Sequence, residues 1–145
     1  MTTHRIFAAG YDRMMAPVER RFLSPRRERL LRGLTGHVLD VGAGTGANLP
    51  YFKHEARVVA AEPDPAMRAK LERKLAQPTV PVEVSNATAE SLPFPDATFD
   101  AVVFTLALCT VADPNEALAQ ARRVLKPGGR LVVLEHVRGE GRLAR

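Results

Sequence analysis

An apolar run of strand length ends abruptly in glycines: Val38-Leu39-Asp40-Val41-Gly42-Ala43-Gly44-Thr45-Gly46-Ala47-Asn48. This pattern predicts a strand, a tight turn whose backbone can approach a ligand closely, and then a helix. The amide groups at such a helix start favour a carboxylate or a phosphate. Turns of this kind serve nucleotide, dinucleotide and other adenosyl ligands alike, so the segment specifies a fold class before it specifies a ligand.

The remainder of the chain agrees with that class. Further short apolar runs at Arg57–Glu62, Val80–Ser85, Phe99–Thr105 and Gly129–Val137 join His37–Val41 as predicted strands. Their near-continuous Val, Leu and Ala content suits strands buried on both faces of a parallel sheet. Ser24-Pro25, Asp64-Pro65 and Asp113-Pro114 each place a capping oxygen before a proline, predicting three helix starts. Apolar residues recur with helical period at Met67, Leu71 and Leu75, and at Ala117, Leu118, Ala121, Val124 and Leu125. The latter helix must stop before Lys126-Pro127-Gly128-Gly129. Ala87 to Thr98 contains two prolines and reads as loop. Alternating strands and helices predict an α/β fold, an open, doubly wound, Rossmann-like sheet.

Composition narrows the class further. A chain of 145 residues, 46% apolar and 26% charged, has the proportions of one globular domain. No apolar run reaches the ~18 residues of a membrane span, and Ile6-Phe7-Ala8-Ala9 is too short for a signal-peptide core. The single cysteine, Cys109, excludes a disulfide framework and a cysteine-clustered metal site, and is expected to be buried beside the fourth strand. No metal-ligand constellation is visible, and a cytoplasmic protein is expected. The net charge of +5 is uneven: residues 1–36 hold 8 Arg and 3 acids, whereas 37–137 hold 10 basic and 12 acidic residues. This basic segment reads as a solvated helix face. Only Phe22 interleaves with Arg20, Arg21, Arg26, Arg27, Arg29 and Arg32, so a stacking platform for nucleic acid is not supported.

Gly42-x-Gly44-x-x-Ala47 satisfies a relaxed dinucleotide fingerprint, and Glu62 falls 20 residues after Gly42, where a ribose-binding acid is expected. Asp40 discriminates. Its carboxylate lies close to the loop, where a pyrophosphate would meet negative charge and a ligand carrying an ammonium group would be favoured. The methionyl part of S-adenosylmethionine carries such an ammonium, and a carboxylate for the loop amides.

At this point a family resemblance emerges. Leu39-Asp40-Val41-Gly42-Ala43-Gly44-Thr45-Gly46 resembles motif I of the class I S-adenosylmethionine-dependent methyltransferases. Leu92-Pro93-Phe94-Pro95-Asp96-Ala97-Thr98-Phe99-Asp100 resembles the stretch before their fourth strand, and Val124-Leu125-Lys126-Pro127-Gly128-Gly129-Arg130-Leu131 their approach to the fifth. Within the class, Gly46-Ala47-Asn48, Thr105-Leu106-Ala107-Leu108-Cys109-Thr110-Val111 and Glu135-His136-Val137 resemble the methyltransferase type 11 and alkyl-thiol methyltransferase-like proteins.

The resemblance implies five parallel strands in the order 3-2-1-4-5, without the final two strands of the full family sheet. It implies S-adenosyl-L-methionine as cofactor, S-adenosyl-L-homocysteine as product, and methyl transfer by direct displacement to a small molecule: a thiol, lipid, quinone or other metabolite. Glu62 would take both ribose hydroxyls and Asp40 the methionyl amine, directly or through water. Gly42, Gly44 and Gly46 would line the cofactor, Pro63 and Met67 would border the adenine, and Tyr11 would cap the site. Ala43, Asn48, Thr105 and Leu106 fall at further contact positions. Many relatives have an acid where this chain has Thr88, so adenine recognition passes to Thr88, Ala89 and Glu90. His136 is the candidate proton acceptor, or else an ordinary hydrogen-bonded histidine. Residues 1–36 would form a helical lid over a core of 37–145, with Phe7, Met14 and Met15 over the cofactor. The exposed fifth-strand edge would favour a homodimer. Two other readings stay open: a cofactor-binding module without turnover, and an NAD-dependent oxidoreductase.

Overall fold

The computed structural model describes residues 10, 13–77 and 80–136. Tyr11, Phe7 and Val137 lie outside them.

Five strands form one sheet: β1 (Gly36–Val41), β2 (Ala56–Ala61), β3 (Val82–Ser85), β4 (Phe99–Thr105) and β5 (Leu125–Leu134). Their order is β3-β2-β1-β4-β5 and every pairing is parallel, as the family resemblance implies. Among the described residues, the helices α1 (Ser24–Leu31), α2 (Pro65–Lys74) and α3 (Pro114–Val124) accompany them, with a further helical stretch through 13–18. None of the described helices is long and apolar enough to cross a membrane.

The apolar runs divide their side chains between two cores. Leu39, Val41, Val59, Ala61, Val102 and Phe104 join Ala117, Ala121 and Val124 of α3 on one face. Val38, Val58, Ala60, Ala101 and Val103 meet Leu31, Leu34, Phe52 and Leu71 on the other. Alternate residues of one strand enter opposite layers, the period-two consequence of a sheet covered on both sides. Leu31 and Leu34 belong to this packing, so α1 is built into the layer beneath the sheet.

The local signals fare unequally. Asp64 caps α2 by accepting from the amides of Ala66 and Met67, and Asp113 caps α3 by accepting from Glu116. Ser24 does not cap α1. The chain is already helical before it, through 13–18 and a π-helical turn, Glu19–Leu23, so no terminal amide needs capping there. The Tyr51 hydroxyl instead donates to Ser24 Oγ at 2.8 Å. The helix expected after β1 is replaced by turns and a single 3-10 turn, Leu49–Tyr51. Strand β5 begins earlier than its sequence suggests. Phe99 pairs with Leu125, but Ala101 pairs with Arg130, so Lys126–Gly129 bulge out opposite Asp100. Pro127 lacks a ladder donor and Gly128 has φ 77°, which makes the bulge the natural outcome. Leu131 and Val133 on this edge strand are 46% and 44% exposed.

Candidate cofactor site

The carboxyl ends of β1, β2 and β4 converge on a cavity of about 720 Å³. That is where a ligand enters an open parallel sheet, at the point where strand order reverses between β1 and β4. Its walls come from the turn after β1, Glu62 to Asp64 with Met67 after β2, Thr88 to Glu90 after β3, and Thr105 to Ala107 with Thr110 to Ala112 at the end of β4 and beyond it. The helical stretch before α1 closes another side with Met15, Ala16, Glu19 and Arg20.

The turn after β1 is held from two directions. Gly42 has φ 66°, and a Cβ there would lie 2.7 Å from that of Ala107. Glycine thus lets the post-β1 and post-β4 loops touch. Across the cavity Glu62 Oε2 accepts from the Gly44 amide at 2.8 Å, and its Oε1 accepts from the Asp64 amide at 2.9 Å. Glu62 therefore ties the first loop to the start of α2. Each oxygen retains a second acceptor site, and the carboxylate borders the cavity.

Beneath the turn lies a polar chain. Asp40 is fully buried. Its Oδ1 accepts from Asn48 Nδ2 at 2.9 Å, and its Oδ2 has no hydrogen-bond partner. Asn48 Nδ2 also donates to Thr105 Oγ1 at 3.1 Å, while Asn48 Oδ1 accepts from Arg27 Nη1. Arg27 in turn grips both carboxylate oxygens of Glu19, at 2.6 and 3.2 Å. Burial pushes the Asp40 carboxyl up to about 7, against the Asn48 hydrogen bond and the Arg27 charge; the Glu62 charge adds to the rise.

Most of the residues named from the sequence meet at this cavity. Gly42, Ala43, Gly44, Asn48, Glu62, Pro63, Met67, Thr88, Ala89, Glu90, Thr105 and Leu106 all line it. Asp40 lies under the floor and does not line it. Gly46 is turned away: a Cβ there would strike Leu71 and Leu49 at 2.9 and 3.0 Å, so it serves packing. Glu90 also braces the approach to α3, its Oε1 accepting from the amides of Ala112 and Asp113. His136 is exposed after β5 and lies outside the cavity lining. Met15 faces the cavity, whereas Met14 is 65% exposed. Cys109 is exposed, contrary to expectation, because the chain has left β4 and turned outward before reaching it.

Two residues at or near the site have no counterpart in the sequence reading. Arg27 belongs to a stretch read as solvated, yet it is only 5% exposed. Glu135 follows β5 and its Oε1 accepts from the amides of Ala107 and Leu108, at 2.7 and 2.8 Å. It holds the post-β4 loop against Gly42. Neither contact has a local sequence signature.

The relationships of the chain agree with this geometry. A methyltransferase domain family model matches residues 39–133. The ubiquinone/menaquinone biosynthesis C-methyltransferase UbiE of a Marinomonas species is 41% identical over 112 residues, 73% of this chain and 45% of that protein. The human thiol S-methyltransferase TMT1B is 33% identical over 141 residues, 86% of this chain and 55% of its own. A crystal structure of a SAM-dependent methyltransferase from Thermotoga maritima superposes with a TM-score of 0.67 at 29% identity, covering 89% of this chain and 58% of that one. The chain spans about half the length of the curated relatives it matches. With the matched region running from Leu39 through β4 into β5, and so enclosing the cavity's three strand ends, the chain belongs to the class I S-adenosylmethionine-dependent methyltransferase family.

Proposed function

We propose that the cavity holds S-adenosylmethionine and that the protein presents its methyl group to a small nucleophilic acceptor. The carrying observation is the buried Asp40 Oδ2, an acceptor without a partner directly under a glycine-rich turn. An uncompensated buried carboxylate is costly. An ammonium brought to that end of the cavity would offset the cost, whereas a pyrophosphate would add to it. The residues present fit the cofactor: Asn48, backed by the buried Asp40, at its amino-acid end, Glu62 at the ribose, and Met67 with Thr88 to Glu90 toward the base.

When bound, the cofactor supplies an electrophilic methyl group on a sulfonium. The chain's own contribution is placement and exclusion of water, since a direct displacement needs alignment more than a strong acid or base. Glu62 fixes the turn and the ribose through one carboxylate. Gly42 lets the Leu106–Ala107 backbone close over the middle of the cavity. The segment carrying Met15, Ala16 and Glu19 acts as a cover over the opening.

The acceptor belongs to the class of thiols, lipids, quinones and similar metabolites. Support comes from the mostly apolar rim formed by Met15, Ala16, Val111 and Ala112, and from relatives named for quinone and thiol methylation. A homodimer through the β5 edge is proposed alongside, supported by the edge position of β5 among the described residues and by its exposed Leu131 and Val133.

The test is transfer of a labelled methyl group from S-adenosylmethionine to a panel of alkyl thiols, quinols and aminolipids. Labelled product from one acceptor class, with S-adenosylhomocysteine released in equal amount, supports the reading. Tight cofactor binding with no transfer to any acceptor would favour the binding-module alternative.

A further inference from the structure

We propose that Arg27 is the positioning residue of the amino-acid end of the site: it sets the orientation of Asn48, and through it the presentation of Asp40. This deepens the cofactor reading and rests on it.

A guanidinium has five donors and no acceptor. Arg27 can therefore bind only the oxygen of the Asn48 amide, and it does so through Nη1. That contact decides which end of the amide faces the sheet. With Oδ1 turned to Arg27, the Nδ2 group points to Asp40 Oδ1 and Thr105 Oγ1, at 2.9 and 3.1 Å. In the flipped amide, Oδ1 would face the Asp40 carboxylate and Nδ2 would face the guanidinium. Both contacts would become repulsive.

The consequence reaches the ligand. Asn48 satisfies only Oδ1 of Asp40, leaving Oδ2 as the one acceptor of that carboxylate without a partner. Arg27 does not touch Asp40, yet it keeps the Asn48 donor on Oδ1, so that Oδ2 is the oxygen left over. Its positive charge also favours the ionised carboxylate that an ammonium requires.

Arg27 is itself held. Glu19 binds Nε and Nη2 through its two oxygens, at 2.6 and 3.2 Å. This two-point grip fixes the plane of the guanidinium, which a lysine cannot reproduce. Glu19 lies on the helical segment that walls the cavity beside Met15 and Ala16. The cover over the site and the carboxylate under it are thus parts of one hydrogen-bonded chain, Glu19–Arg27–Asn48–Asp40. An arginine that is 5% exposed, bound to residues 8 and 21 positions away, is otherwise an expensive way to fill space.

The test uses two ligands that share the adenosine and differ at the amino-acid end: S-adenosylhomocysteine, and methylthioadenosine, which lacks the amino and carboxylate groups. Both affinities are measured by calorimetry for the wild type, Arg27→Met and Arg27→Lys, with unfolding curves alongside. Losing the orienting contact at one charged group is expected to raise the S-adenosylhomocysteine Kd of Arg27→Met by ~10-fold or more. Its methylthioadenosine Kd stays within about twofold, with Arg27→Lys intermediate for the first ligand only.

Parallel loss of both ligands would show that Arg27 serves the fold alone and would overturn the proposal, as would no change for either. Should Arg27→Met fail to fold, the ratio of the two affinities in Arg27→Lys decides, and a wild-type ratio overturns the proposal. Wild-type protein that binds neither ligand refutes the cofactor reading, and the role of Arg27 falls with it.

Discussion

Replacing Glu62 with alanine separates a ribose ligand from a structural brace, because the geometry assigns it both jobs. In the folded protein its two oxygens accept from the Gly44 and Asp64 amides at 2.8 and 2.9 Å. Truncation leaves two amides without an acceptor. Both border a cavity that water can enter, so the stability cost should sit near the low end of the range for orphaned donors, about 1–2 kcal/mol in total. The binding cost is larger. Two charge-assisted hydrogen bonds to a ribose disappear together, on the order of 2–4 kcal/mol, and a tenfold change in Kd is about 1.4 kcal/mol. The Kd for S-adenosylhomocysteine should therefore rise roughly 30- to 900-fold, while the thermal midpoint moves by only a few degrees. Calorimetric titration on protein whose circular dichroism matches the wild type reads the first quantity, and a melting curve reads the second. A folded Glu62→Ala protein with unchanged affinity would refute the ribose assignment and leave Glu62 as a loop brace.

Four further outcomes follow from the same geometry. Gly42→Ala combines a positive φ with a Cβ 2.7 Å from that of Ala107, so it should separate the two loops and weaken S-adenosylhomocysteine binding by ~10-fold or more, read by titration. Because the Asp40 carboxyl is raised from 3.8 to about 7 in the fold, the native state holds that proton more tightly than the unfolded chain does. Its contribution to stability is fully present below pH 3.8 and is lost as pH rises through about 7, so denaturation midpoints between pH 5 and 8 should fall relative to those of Asp40→Asn. A bound ammonium favours the ionised form, so the affinity for S-adenosylhomocysteine should rise across the same interval, and the rise should vanish in Asp40→Asn. Finally, Asp64→Ala removes an oxygen that caps two amides of α2 and should cost about 1 kcal/mol in chemical denaturation.

What the sequence made legible was whatever rests on local periodicity or on contact between near neighbours. The apolar run Phe99–Thr105 becomes a strand buried on both faces because Phe99, Val102 and Phe104 meet one packed layer and Ala101 and Val103 the other. Asp64 and Asp113 cap their helices because the amides they serve lie two or three residues away. Ser24 shares that signature, but helix already precedes it, and its hydroxyl accepts from Tyr51, 27 residues distant. Gly46 continues the regular spacing of Gly42 and Gly44, yet a neighbouring leucine explains it better than a ligand does. Arg27 was hidden among eight arginines of the first 36 residues. Nothing local distinguishes the one whose partners, Glu19 and Asn48, come from a preceding helical turn and from the turn after β1. Glu135 was missed for the same reason: its two amides lie 27 and 28 residues earlier, across a strand crossover. Glu62, by contrast, was visible because the glycine turn and the acid stand at a separation set by one strand–turn–strand unit.

The buried Asp40 distinguishes a ligand that brings an ammonium from one that brings a pyrophosphate. Calorimetric titration of the protein with S-adenosylhomocysteine and, separately, with NAD tests that distinction directly, because both carry an adenosine for Glu62 and differ in what they bring to the buried carboxylate. Saturable one-to-one binding of S-adenosylhomocysteine, with no heat from NAD at the same concentrations, is the predicted result. Saturable binding of NAD with none of S-adenosylhomocysteine would contradict it.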